Sequence, residues 1–299
     1  MNTNLILRTL VLLLALAACH SYAVITRHDV DPARYKIDTP PEYFIDMPFQ
    51  GAAVLIDEHW LLAPAHVIYT FMYEYENKPI TIHGRDNVIA EVILHPNYVR
   101  EKASSDNDAV HSLLTQLNNN VDIALIRLEQ PVTHVSPIPI YGGNDEKGMQ
   151  VTGFGRGAIG TGLTGEVEDS QGPGFLTYYW YHITKFFSDW AFTQENYQLK
   201  QYNNQITEAS QQWLRYVFEK EDKALPLEGT IGSGDSGGAI VIFRDNKPVL
   251  LGMASWREFE GDVQQFSFGH YNEVAVFTRV SYFKDWIMQH VDTAEVIFK

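Results

Sequence analysis

The seven residues Gly232–Gly238, with the sequence GSGDSGG, constrain this chain more than any other stretch. Glycine permits positive φ and leaves backbone N–H groups bare of side chains, so such a loop can direct amides at an anionic oxygen while a serine hydroxyl stays accessible. The loop lies between a proline-bearing turn at 225–227 and the apolar run Ala239–Ile242. It indicates either a glycine-rich β-turn or a site for acyl transfer.

Two upstream residues favour acyl transfer. A serine hydroxyl is a weak nucleophile at neutral pH, so it needs a histidine base, and that histidine needs a carboxylate to orient it. His66 ends the run WLLAPAH at 60–66, and Asp122 opens the run DIALI at 122–126. The chain therefore contains a candidate for each role.

In these three motifs the chain resembles the chymotrypsin-like (trypsin-like) serine proteases, in which the histidine closes a TAAH strand end, the aspartate begins a DIAL strand and the serine sits in GDSGG. All three motifs occur here in that order. The resemblance implies that Ser236 is the nucleophile, that His66 is the general base and then the acid, and that Asp122 orients the imidazole. It also implies an oxyanion hole formed by the backbone N–H groups of Gly234 and Ser236.

The resemblance places the substrate pocket at Thr230, Ser255, Trp256 and Arg257. Thr230 stands where trypsin has the aspartate that binds basic side chains, so we expect no selective cleavage after Arg or Lys. Arg257 stands where a glycine is usual. This arginine narrows the pocket, attracts an acidic substrate, or is a solvated side chain on a loop.

Residues 1–23 predict an export signal, because Arg8 precedes an apolar run at 10–18 that is too short to be a stable membrane anchor. Two processing sites compete. We favour cleavage before Val24, since the resemblance implies a free β-branched N-terminus whose amine pairs with the aspartate before the nucleophile, here Asp235. The alternative is a lipoprotein anchored at Cys19, because residues 16–19 resemble a bacterial lipobox. We expect an exported bacterial protein, either secreted or periplasmic.

Short strand-like runs separated by turn residues predict an all-β fold. The resemblance implies two six-stranded Greek-key β-barrels with a C-terminal α-helix. We assign residues 24–145 to the first barrel, including an extended N-terminal arm, and 146–299 to the second. A helix is predicted at 281–291, with Ser281 as its N-cap. The predicted strands cover 52–56, 60–62, 79–83, 88–94, 123–128, 150–154, 205–217, 239–243, 249–256 and 274–280.

The segment of about 158–200 is an insertion beyond what the family fold requires, and residues 175–192 within it are unusually aromatic. This insertion is either a helix or hairpin packed on the second barrel, or an exposed aromatic face that contacts a membrane surface or caps the cleft.

Composition excludes some classes of function. A net charge of −15 argues against a nucleic-acid partner, because phosphate binding requires a basic surface. Cys19 is the single cysteine, so no intrachain disulfide can form. Histidines occur without metal-ligand spacing, and we expect neither a metal nor another cofactor.

Taken together, the sequence predicts a monomeric serine endopeptidase that acts on proteins or peptides. One alternative is a non-catalytic binding protein on a protease scaffold, in which the aromatic insertion or Arg257 occludes the cleft. Esterase or acyl-transferase chemistry would use the same nucleophile.

Overall fold

The computed structural model describes residues 24–47, 51–69, 79–100, 109–167, 198–258 and 267–298. The predicted export signal, Cys19 and the aromatic stretch 175–192 lie outside the described residues.

The first barrel is a six-stranded sheet in the order β2-β3-β4-β7-β6-β5, in which β2 and β5 also lie against each other. Its centre is apolar because β3 and β4 carry almost only buried aliphatic residues. The strands are β2 (Phe44–Asp46), β3 (Ala52–Asp57), β4 (Trp60–Ala63), β5 (Pro79–Ile82), β6 (Arg85–Leu94) and β7 (Ala124–Leu128).

The second barrel follows the path β12-β9-β16-β17-β18-β14-β13. The hydroxyl of Tyr216 on β14 donates to that of Tyr202 on β12 over 2.9 Å, which joins two strands that are distant along this path. Two short strands, β8 (Ile140–Tyr141) and β19 (Val296–Ile297), add to the sheet beside β17. The other strands are β9 (Gln150–Gly155), β12 (Lys200–Gln205), β13 (Glu208–Ser210), β14 (Trp213–Val217), β16 (Ala239–Arg244), β17 (Lys247–Glu258) and β18 (Val274–Arg279).

A smaller sheet in the order β11-β10-β1-β15 holds the first described residues. Its strand β1 (Val24–Thr26) runs between two segments of the second half of the chain. The predicted N-terminal arm is therefore shared, because β1 belongs to this sheet while β2 belongs to the first barrel. The remaining strands are β10 (Ile159–Thr161), β11 (Gly165–Val167) and β15 (Gly229–Thr230).

Three α-helices and two single-turn 3₁₀ helices complete the described part of the chain. Helix α1 (Ala65–Tyr69) follows β4, α2 (Ala109–Asn119) precedes β7, and α3 (Val280–His290) follows β18. The 3₁₀ turns are Pro32–Tyr35 and Glu221–Lys223.

Two local predictions were wrong. The N-cap of α3 is Arg279 rather than Ser281. Ser281 is the second residue of the helix, and its hydroxyl donates to Glu146. The run predicted as one strand over 205–217 is instead the end of β12 followed by the hairpin β13–β14, which turns at Gln211 with φ of 48°. The fold class itself, two barrels followed by a C-terminal helix, is confirmed.

In the described ranges, no helix is both long and apolar enough to span a membrane.

A pair of glycines tests how tightly the nucleophile loop is seated. Gly237 has φ of 81° and its missing Cβ would overlap the Ala52 carbonyl group, whereas Gly84 has φ of 80° with open space around it. Gly84→Ala should therefore cost only backbone strain, about 1–2 kcal/mol. Gly237→Ala should reduce the free energy of unfolding by clearly more, measured by urea denaturation. Equal losses in the two variants would contradict this seating of the loop.

Candidate active site

His66 and the Asp122 carboxylate are joined by two hydrogen bonds, one from the imidazole and one from the backbone. The imidazole Nδ1 lies 2.7 Å from Asp122 Oδ2, and the His66 backbone N–H donates to Asp122 Oδ1 over 2.9 Å. His66 lies in the first turn of α1, directly after β4, while Asp122 lies just before β7. Because β4 and β7 are neighbouring strands that pair Ala63 with Ala124, the sheet brings the two residues together.

Asp122 is a buried charge with many donors. Its side chain is 5% exposed, against 23% for His66. Burial raises the pKa of the Asp122 carboxyl, but the charge of His66 and hydrogen bonds from His66 and Ser255 outweigh that effect, so the pKa lies below its ordinary value. The carboxylate is therefore ionised at neutral pH and accepts the proton of Nδ1. When the imidazole is neutral, this leaves Nε2 as the ring's proton acceptor.

The second barrel also holds Asp122 in place. The Ser255 hydroxyl on β17 donates to Asp122 Oδ2, and the buried Thr278 hydroxyl on β18 donates to the Asp122 carbonyl over 2.8 Å. Just upstream, the Trp213 indole donates to the carbonyl of Asn118 at the end of α2. Ser255 was predicted as a pocket residue only, and Thr278 was not predicted because no motif marks it.

The loop that carries Ser236 docks onto the first barrel beside α1. The Ala52 N–H donates to the Ser236 carbonyl over 2.8 Å. A Cβ at Gly51 would lie 2.6 Å from that carbonyl oxygen and 3.3 Å from the side chain of Val67, the residue after His66. The half-buried Ser236 therefore belongs to the same small region as His66 and Asp122. Gly234 lies in the same turn, with φ of 94°.

Asp235, the residue before Ser236, is a buried carboxyl. It accepts from the backbone N–H groups of Gly157 and Gly232 over 2.6 and 2.7 Å. Burial nevertheless raises its pKa to about 7. Val24 is fully buried in β1, but its nitrogen is a peptide nitrogen while residue 23 is attached, so the predicted ion pair between Val24 and Asp235 remains a prediction.

Lys200 on β12 is a buried cation near Asp235 that the sequence analysis missed. It pairs with Gly155, at which a side chain would overlap the Asp235 carboxylate. Burial lowers the pKa of Lys200 to about 8, and the charge of Asp235 opposes this shift.

The predicted pocket residues lie on two segments that belong to different sheets. Ser255, Trp256 and Arg257 follow one another on β17, while Thr230 is buried on β15, where it pairs with Ile25. The Trp256 ring packs edge-on against Trp213 at 5.9 Å between centroids.

The suggestion that Arg257 is a solvated loop residue was wrong. Its side chain is only 10% exposed, it lies within β17, and its guanidinium forms an ion pair with Glu166. Sequence reasoning missed Glu166, because it lies in the long insertion and no motif links it to Arg257. The two charges largely cancel each other at the pocket.

Among the residues that the structure describes, no three His, Cys, Asp or Glu side chains come together in a way that could hold a metal ion.

The chain is similar in sequence to known serine proteases. The family model described as Trypsin matches residues 42–171, which include His66 and Asp122. Vitamin K-dependent protein C of Rattus norvegicus is 25% identical over 91% of this chain and 57% of its own length. Calcium-dependent serine proteinase of Mesocricetus auratus is 27% identical over 84% of this chain and 33% of its own length. These matches support a trypsin-like serine protease family. The two barrels and C-terminal helix are the fold of that family.

A third relative, complement C1s subcomponent of Sus scrofa, is 32% identical over 40% of this chain and 18% of its own length. The chain thus spans from about a third to somewhat more than half of the length of the first relatives.

Ser255→Ala tests the electrostatics of the pair. Removing a donor to the ionised carboxylate should raise the pKa of Asp122 toward its ordinary value of 3.8. The carboxyl carbon of Asp122, followed by NMR as pH is lowered, should therefore titrate at a higher pH in the variant. Ser233→Ala is the control, because Ser233 has no hydrogen bond to Asp122 in the described structure. An unchanged titration in Ser255→Ala would show that this hydrogen bond does not hold the charge.

Proposed function

We propose that the chain is a serine endopeptidase that hydrolyses peptide bonds through an acyl-enzyme at Ser236. The observation that carries this proposal is the buried, ionised Asp122 bonded to His66. The Ser236 loop is bonded to β3, which pairs with β4, the strand before His66. The family supports peptidase chemistry, and with it protein or peptide substrates.

In the proposed reaction, Ser236 Oγ attacks the carbonyl carbon of the scissile bond while Nε2 of His66 takes the hydroxyl proton. Asp122 keeps Nδ1 protonated and stabilises the imidazolium that forms. The N–H groups of Gly234 and Ser236 donate to the oxyanion of the tetrahedral intermediate. His66 then gives its proton to the leaving amine. A water molecule attacks the acyl group with His66 as base, which releases the acid and restores Ser236.

A fluorophosphonate probe tests the nucleophile directly, on the chain that begins at Val24. The unaltered chain should be labelled, while Ser236→Ala and His66→Ala should not. Asp122→Asn should be labelled on the order of 10⁴-fold more slowly, because the imidazole loses the tautomer that can act as base. Ser210→Ala, a change at an exposed serine on β13, should label normally. Labelling that survives in Ser236→Ala would contradict the proposal.

One observation favours the alternative of a binding protein with an occluded cleft. The ion pair of Arg257 and Glu166 is bonded to the loop that carries Ser236, because the Glu166 carboxylate also accepts from the Ser233 hydroxyl. A folded chain that begins at Val24 and takes no label would make this alternative the better account.

The remaining proposals concern localisation and assembly, and those on localisation come from residues 1–23. An export signal cleaved before Val24 would make the protein secreted or periplasmic and active without a further processing step, whereas lipidation at Cys19 would tether it to a membrane. A bacterial origin, a monomeric state and membrane contact through 175–192 stay predictions from the sequence.

The pairing of Val24 with Asp235 makes a prediction about stability. While residue 23 is attached, the pKa of Asp235 is about 7, above its ordinary 3.8, so its contribution to stability is present below 3.8 and is lost as pH rises through 7. A free Val24 amine should lower this pKa and remove the loss. The chain that begins at Val24 should therefore be more stable at pH 8, on the order of 2–4 kcal/mol, than the chain that keeps residues 1–23.

Urea denaturation at pH 5 and pH 8 measures this difference in both chains. Asp235→Asn should abolish the dependence of the difference on pH. If both chains lose the same stability between the two pH values, Val24 and Asp235 do not form an ion pair.

A further inference from the structure

The carboxylate of Glu166 is bound by Ser233, which lies three residues before Ser236. One oxygen accepts from the Ser233 backbone N–H over 2.8 Å and also meets the Arg257 guanidinium. The other accepts from the Ser233 hydroxyl over 2.8 Å. An amide, a hydroxyl and a guanidinium thus converge on one carboxylate, which is a typical set of donors for binding an anionic group.

The donors also contact one another and their surroundings through bonds that do not involve Glu166. The Arg257 guanidinium also donates to the Ser233 hydroxyl over 3.1 Å and lies 4.1 Å from the centre of the Phe268 ring. A further bond of 3.4 Å reaches the Ile231 carbonyl. We call Ser233 and Arg257 the carboxylate cradle. Its parts come from the nucleophile loop and β17, whereas Glu166 comes from β11.

The cradle lies next to the proposed catalytic residues on both of its sides. On β17, Ser255 bonds to Asp122, and Arg257 follows two positions later on the same strand. On the loop, Ser233 precedes the proposed nucleophile by three positions. A side chain of a bound peptide that enters between β17 and the loop would therefore meet the cradle.

Glu166 is attached in a way that lets its side chain leave. Within the residues that the structure describes, strand β11 is the edge of its sheet and pairs only with β10. The Glu166 backbone N–H is bonded to the Phe268 carbonyl over 2.6 Å, so rotation of the side chain can free the cradle while the backbone stays in place. The side chain is 15% exposed, so it has access to solvent.

We propose that the carboxylate cradle binds an acidic side chain of the substrate, and that Glu166 is an internal competitor for it. This inference rests on the proposed function, since it names the substrate class of the same site. Loss of Glu166 from the cradle leaves the Arg257 guanidinium buried without its counter-charge, which is costly. An acidic substrate restores the ion pair, whereas a neutral one does not. The cradle therefore selects peptides with Glu or Asp near the scissile bond.

Matched peptides that differ only in Glu or Gln before the scissile bond test the proposal on the chain that begins at Val24. Glu166→Gln keeps the shape of the competitor but removes its charge. It should raise kcat/KM for the Glu peptide relative to the Gln peptide by roughly tenfold or more, the effect of one hydrogen bond to a charged group. Adding Arg257→Gln to that variant should abolish the preference. Glu91→Gln, which breaks an exposed ion pair with Arg127 on the first barrel, should leave the ratio unchanged.

Equal changes for both peptides in Glu166→Gln would overturn the cradle as a substrate site. A second measurement needs no variant: peptidyl phosphonates with a Glu or a Gln side chain should label the unaltered chain at different rates, with the Glu form faster. Equal rates would also overturn the inference. Failure of the proposed function would be seen separately, because neither phosphonate nor fluorophosphonate would then label Ser236.

Discussion

The arrangement depends on one buried carboxylate. Asp122 lies between the two barrels, where it accepts two hydrogen bonds from His66 and one from Ser255, while its carbonyl accepts from Thr278. A buried charge is stable only when donors surround it. The donors to Asp122 come from both barrels, so its charge requires the two barrels to be packed against each other. The same donors keep it ionised and fix the imidazole. The stability of the barrel interface and the orientation of the His66 imidazole therefore have a common physical origin.

The nucleophile loop shows the opposite balance. Asp235 is buried with two backbone donors, and its pKa stays raised to about 7 because these bonds do not offset burial. Lys200 provides a buried positive charge nearby, and the proposed free Val24 amine would supply a second one. Next to this loop, Glu166 and Arg257 neutralise each other. Beside Ser236, the proposals give Asp235 and Arg257 a second possible partner each, whereas Asp122 keeps His66 as its partner.

Sequence alone predicted the fold class and the roles of His66, Asp122 and Ser236. Each of these residues lies in a short motif that resembles the family, and its side chain suits the predicted chemical role. It did not predict Glu166 as the partner of Arg257 or Thr278 as a partner of Asp122. Glu166 contacts Arg257 across 91 positions of the chain and Thr278 contacts Asp122 across 156, and side-chain contacts between such distant segments leave no local pattern. The hairpin at 208–217 was missed for a different reason: its turn residue, Gln211, adopts positive φ without being glycine.

The account stands on an acyl-enzyme at Ser236. Its most direct test is to mix the chain that begins at Val24 with a reactive peptide ester, quench the mixture in acid within its first turnover, and map the modified peptide by mass spectrometry. We predict the acyl group on the peptide that contains Ser236, and its disappearance on longer incubation as water completes the reaction. An ester that is consumed without any acyl group on Ser236, or with the group on another residue, would contradict the account.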